Sequence, residues 1–193
     1  GWVTGVLRPK TFGPPGKPVQ PNLGVSAAFG SGIDWQASAG EDKFRRGLYT
    51  TWRRSNPYPS MSAFDAPNRE VCTIRRPRTN TPLQALNLMN DISFLEAARF
   101  LGQRMLKEGG VSADSRLRYG FRAVTGRLPS ASEQQILRDS LQYHLDYFSS
   151  GKGGAYLKQG VAVPDSTLDA RDLAAYAAVG SLLLNLDETV TKE

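Results

Sequence analysis

Four capped helix starts punctuate the chain after residue 80, and they leave little room for any fold but a helical one. In Thr81-Pro82-Leu83-Gln84 a capping threonine precedes a proline at the first helical position. The glutamine that follows can return a hydrogen bond to the cap. Asp91 can cap a second helix carrying Phe94, Leu95, Ala98, Leu101 and Met105 on one face as far as Gly109-Gly110. A third helix, about Ser115 to Thr125, buries Leu117, Phe121 and Val124 and stops at Gly126, with Pro129 beyond. Ser130-Ala131-Ser132-Glu133 is another capping box, opening a helix with Leu137, Leu141, Leu145 and Phe148 on one stripe. After Gly151 to Gly154 and a weakly patterned linker to about Leu168, Asp169 caps the last helix. Its stripe of Leu173, Ala177, Gly180 and Leu184 is flanked by further Ala and Leu, which predicts a position deep in the bundle. The expected fold class is mostly α, a bundle of about five helices.

The first forty residues follow different rules. They hold eight glycines and five prolines, and Phe12-Gly13-Pro14-Pro15-Gly16-Lys17-Pro18 cannot continue a helix or a central strand. Residues 1–40 therefore read as a long Pro/Gly-rich extended arm, the end of an upstream region, and residues 41–193 as a mainly helical C-terminal domain. The opening Gly1-Trp2-Val3, with neither initiator Met nor leader, suggests a piece of a longer protein. From Glu41, Phe44, Leu48 and Trp52 recur at helical spacing and predict a short amphipathic helix closed by Arg53-Arg54, with Trp52 in the core. Between Pro57 and Pro77 the expectation is turns plus one short strand at Val71 to Ile74, so an irregular Arg-rich segment with little β.

Several function classes fall away on composition. The most apolar stretch, Leu173 to Leu186, is too short and too interrupted for the roughly 20 residues a membrane span needs. Cys72 is the single cysteine, which removes intrachain disulfides, covalent haem attachment through a Cys-x-x-Cys-His motif and thiolate metal clusters; between Val71 and Thr73 it reads as a small core hydrophobe. His144 is the sole histidine, so no metal site is built from histidines, and its place between tyrosines suits a surface or interface better than a general base.

Charge is concentrated. Between residues 41 and 80 lie nine basic residues against four acidic ones, most of the chain's net +6, and eight of the nine are arginine. A planar guanidinium suits carboxylate, sulfate or phosphate. Arg69, Arg75, Arg76, Arg78 and Asn80 are thus candidate anion-binding residues, against the plainer reading that these arginines fasten the segment to the helices. Tyr49, Trp52 and Tyr58 among arginines are the broad footprint of a nucleic-acid binder, but no recognised motif accompanies them and nucleic acid is disfavoured. Asp65 and Glu70 are the candidate acid or base should the segment form an active site; neighbouring arginines would lower their pKa and favour the base. No nucleophile elbow, phosphate loop or dinucleotide fingerprint is present.

The runs from Phe44 to Arg54, Phe64 to Glu70 and Thr79 to Leu86, with Leu88-Met89-Asn90-Asp91, Glu96-Ala97-Ala98-Arg99 and Leu184-Asn185-Leu186-Asp187-Glu188, resemble the planctomycete-specific C-terminal domain known as domain of unknown function 1553. Two places depart from the family pattern: Gly13 to Val19 stands for a Gly-Gly-Pro-Ser-Val run, and Ile92 for a proline. The resemblance implies a large exported protein, hence an extracytoplasmic location, with upstream modules that often include a cytochrome c-like one. Haem c then belongs to that module and no cofactor to this segment. It also implies an association with polysaccharide or sulfated-glycan breakdown. Two functions follow as expectations: a binding or scaffolding domain that packs on upstream modules and takes an anionic glycan or other anion, or part of a carbohydrate-active oxidative or hydrolytic active site using Asp65 or Glu70.

Overall fold

The computed structural model describes residues 3–19, 35–53, 57–68, 70–75, 77, 79–160 and 162–191. The chain divides into two compact units, Leu7–Asn87, and Gly1–Val6 together with Leu88–Glu193. Among the described residues the architecture is mostly α, with no sheet and only two isolated parallel bridges, Arg8 to Arg45 and Gly16 to Thr50.

The smaller unit is organised by one buried guanidinium. An arm rich in proline has carbonyls to satisfy and few N–H groups of its own to satisfy them, and a guanidinium supplies five donors at once. Arg45, 7% exposed, donates to the carbonyls of Pro14 at 2.7 Å, Phe12 and Lys10, and lies 4.1 Å from the Tyr49 ring centroid. Around it the arm exchanges backbone bonds with the following segment: Arg8 N–H to the Phe44 carbonyl, Gly16 N–H to Tyr49, and Thr51 N–H to Gly16. A side chain at Gly16 would strike the Asp42 carbonyl, so only glycine permits this approach. The Trp35 indole donates to Pro18, the Tyr58 hydroxyl donates to Val19, and the two rings stack 5.9 Å apart.

This arrangement overturns the amphipathic helix expected from Phe44, Leu48 and Trp52. Two 3₁₀ turns, Gly40–Phe44 and Gly47–Tyr49, stand there instead, separated by extended Arg45 and Arg46. The Phe44 and Tyr49 carbonyls that a helix would use internally accept from the arm, and Leu48 is 74% exposed. The strand expected at Val71 to Ile74 is absent as well: both side chains face solvent, and so does Cys72, which corrects its reading as a core residue. The short helix α1 (Pro59–Ala63) precedes this irregular stretch, and α2 (Pro82–Asn90) follows it. The reciprocal bonds of a capping box between Thr81 and Gln84 open α2.

The larger unit is the bundle. Its helices are α3 (Ile92–Glu108), α4 (Ala113–Thr125), α5 (Ala131–Phe148), α6 (Gly153–Leu157), α7 (Ala170–Leu184) and α8 (Asp187–Val190). Caps lie where the sequence puts them. Asp91 accepts from Ser93 N–H, Asp169 accepts from Arg171 and Asp172 N–H, Ser130 and Glu133 form both halves of a capping box, and Gly126 ends α4 in the left-handed region. The short α6 falls within the stretch read as a linker. α7 is central, buried almost all round and packed on α3, α5 and α6. Leu101, Met105, Leu117, Leu173 and Leu183 are fully buried at its contacts, each stabilising the fold by about 1.5–3 kcal/mol.

α3 and α7 cross at close range because small residues face each other. A Cβ on Gly102 would lie 2.7 Å from Ala177 N, and one on Gly180 would lie 2.8 Å from the Ala98 carbonyl. Beside this crossing Glu96 and Arg99, each 2% exposed, form a 3.4 Å ion pair. Arg99 also donates to the carbonyls of Leu157 (2.7 Å) and Ala162 (2.6 Å), and Glu96 accepts from Ala162 N–H. The pair therefore clamps the turn after α6 onto α3. Among the described residues no helix is long and apolar enough to cross a membrane.

Removing one partner of a buried pair leaves the other charge uncompensated. Arg99→Ala is expected to lower the unfolding free energy by about 3–5 kcal/mol, measured by urea denaturation followed by circular dichroism.

Candidate functional site

Asp65 sits in the left-handed region (φ 58°) at the end of α1, where Asp and Asn are tolerated better than most side chains. Both of its oxygens accept from Thr79, one from the backbone N–H at 2.8 Å and both within reach of the hydroxyl. The Thr79 hydroxyl in turn accepts from Gln84 Nε2 at 2.9 Å, and the same amide donates to the Ala63 carbonyl at 2.9 Å. Gln84 is 2% exposed. The carboxylate is thus one end of a hydrogen-bond chain that ties the residues after α1 to the start of α2. Glu70 is exposed and takes part in a local turn, accepting from the Asn68 amide at 3.3 Å. The Arg75 side chain is exposed and has no partner among the described residues, whereas Asn80 has one. Arg69, Arg76 and Arg78 lie outside the described residues.

A different surface gathers free hydrogen-bonding capacity. Within the larger unit, α5, α6 and α7 enclose an open groove of about 1000 Å³. Tyr143 and Tyr147, four residues apart on α5, fall off the stripe that α5 buries, so their rings face outward, 65% and 47% exposed. Their planes are within 16° of parallel, with centroids 6.4 Å apart. His144 stacks on Phe148 at 6.1 Å, and Tyr156 of α6 tilts against the same Phe148 at 5.3 Å. Leu182 and Leu186 add to the apolar floor; Lys152, Gln159, Ser181 and Asn185 supply polar groups.

None of these polar side chains is hydrogen-bonded within the described residues. The Glu96–Arg99 clamp holds the turn carrying Gln159, and so shapes one wall. Burial pushes the His144 imidazole below its ordinary pKa of 6.5 and the Tyr156 phenol above 10. Among the described residues lining the groove, Lys152 and His144 are the basic side chains and there is no carboxylate; the Lys152 amine lies 4.7 Å over the Tyr147 ring. Among the described residues no cluster of His, Cys, Asp or Glu could hold a metal ion. Of the groove residues, sequence reasoning singled out only His144. The signal for the others is an aromatic pair at helical spacing outside the core stripe.

Fold and groove together define a helical domain with an open, partly aromatic groove between α5, α6 and α7. The family model described as protein of unknown function (DUF1553) matches residues 2–141, and the chain belongs to that family. Comparison with curated proteins and with solved structures found no match.

Asp65→Ala is expected to cost about 1–3 kcal/mol, because the Thr79 N–H loses its acceptor and alanine tolerates the left-handed backbone poorly. Asp65→Asn should cost less, since it keeps one acceptor and suits that conformation; thermal denaturation of the two variants checks the order.

The His144 NMR signal should titrate with a midpoint below 6.5. Protonation is then harder in the folded chain than in the unfolded one, so stability is unaffected above pH 6.5 and falls as the pH drops through the folded pKa. Substituting His144 should remove that part of the acid sensitivity.

Proposed function

We propose that this chain is a non-catalytic ligand-binding domain, and that the groove between α5, α6 and α7 is its binding site. One observation carries the reading. Several polar side chains elsewhere are tied into pairs, as in Arg127 with Glu133 and Glu188, or Arg138 with Asp114. At the groove, Tyr143, Tyr147, Tyr156, Gln159, Ser181 and Asn185 converge beside apolar walls with no side-chain hydrogen bond among the described residues. A concave, largely apolar site with a few free polar groups is the usual form of a small-molecule site.

The family resemblance supports the wider setting: an exported, extracytoplasmic multidomain protein whose partners are upstream modules of the same polypeptide, one of them a haem c carrier. Polysaccharide breakdown or electron transfer is the process it would serve. The alternative, an active site built on Asp65 and Glu70, has less behind it, because the Asp65 oxygens already accept from Thr79. Anion binding at Arg75 keeps one observation in its favour, an exposed guanidinium with no partner among the described residues. Arg75→Ala in an anion and glycan screen tests it.

Groups held for a ligand contribute little to the fold, so the test separates binding from stability. Asn185→Ala and Gln159→Ala should each leave the unfolding free energy within about 0.5 kcal/mol of the parent chain. Either should weaken whatever compound an NMR screen finds to move the His144 and tyrosine signals. Groove variants that lower stability by several kcal/mol, or a broad screen that never moves those signals, would make these residues structural.

A further inference from the structure

We infer that the groove takes a planar aryl carboxylate, with its ring laid on the Tyr143–Tyr147 face and its anionic group held by Lys152. The inference rests on the groove being a binding site and names the class of compound it would hold.

Charge excludes one class of ligand. Among the described residues no Asp or Glu lines the groove, and its one lysine, Lys152, pairs with no carboxylate. A cationic ligand would meet repulsion with no counter-charge, whereas an anion would complete an ion pair partly sheltered by aromatic rings. Lys152 is itself exposed and rests on the Tyr147 face, so it can turn toward a ligand without leaving a buried vacancy.

Shape and polarity narrow the rest. Near-parallel tyrosine rings on one helix present flat faces for offset stacking, and the edge of Phe148 meets Tyr147 at 78°. Beneath them lie Met89, Leu95, Ala178, Leu182 and Leu186. A neutral saccharide carries hydroxyls around its whole ring, and several would face this floor unpaired at a cost of about 1–3 kcal/mol each. A planar aryl body leaves none unpaired. The Tyr156 hydroxyl, Ser181 and the amides of Gln159 and Asn185 are available to the second carboxylate oxygen or to a ring substituent. A volume of about 1000 Å³ leaves room for more than one fused ring.

The test uses three probes with the same ring system: naphthalene-2-carboxylate, its methyl ester and 2-(aminomethyl)naphthalene. Each is titrated into the 193-residue chain at pH 7.5 while the signals of His144, the sole histidine, and of the tyrosine rings are followed by NMR. The carboxylate should saturate and move His144. The ester should bind about tenfold more weakly and the cation more weakly still. Lys152→Gln should abolish the advantage of acid over ester and leave the ester's affinity unchanged, which a general loss of structure would not do.

Equal affinity for acid and ester, or indifference to Lys152→Gln, overturns the assignment and leaves the groove as a site for neutral ligands. Saturable shifts with maltotriose but with none of the naphthalene probes overturn it in favour of a saccharide. If no compound moves His144 or the tyrosines, the inference and the binding function fall together.

Discussion

The close crossing of α3 and α7 is the constraint on which the larger unit depends. Backbone approaches backbone where Gly102 faces Ala177 and Gly180 faces Ala98, and no β-carbon fits at either glycine. With that distance fixed, α7 is surrounded: α5 and α6 pack on it as well as α3. The small-residue seam gives dispersion contact, and Leu101 and Met105 of α3 and Leu173 and Leu183 of α7 are fully buried in the same core. The leucines and aromatics of α4 and α5 extend that core.

Much of this frame was legible in the sequence, because it is written in local chemistry. Caps at Thr81, Asp91, Ser130 and Asp169 and the stop at Gly126 depend on residues within one turn of each other, and the structure reproduces all of them. The failures have one cause. Phe44, Leu48 and Trp52 have helical spacing, yet their segment gives its carbonyls to an arm about 30 residues earlier, and a buried Arg45 outweighs the apolar pattern. Cys72 looked like a core residue beside Val71 because short apolar runs do not say whether anything covers them; all three side chains from Val71 to Thr73 are exposed.

The arginine-rich segment and the groove show why charge density alone is a poor guide to a site. Arg45 and Arg99 are among the most deeply buried charged residues, and both are engaged with main-chain carbonyls. A guanidinium buried with its terminal nitrogens engaged offers a ligand little, however many arginines surround it in the sequence. The groove contains one cation and was passed over, because tyrosine, glutamine, serine and asparagine on helices are ordinary surface residues until the fold brings them around one concavity. Only coordinates show that α5, α6 and α7 converge there.

The two parts also sit differently against the family. The Arg45 clasp, the Asp65–Thr79–Gln84 chain and the Glu96–Arg99 pair all fall inside the matched stretch of residues 2–141, while most of the groove wall, from Tyr143 to Leu186, lies beyond it. The physics of the two sets differs in the same way. Each member of the first set has partners that a substitution would leave stranded, so change there is costly. The polar side chains of the groove have no hydrogen-bond partner among the described residues, so truncating one strands no buried donor or acceptor.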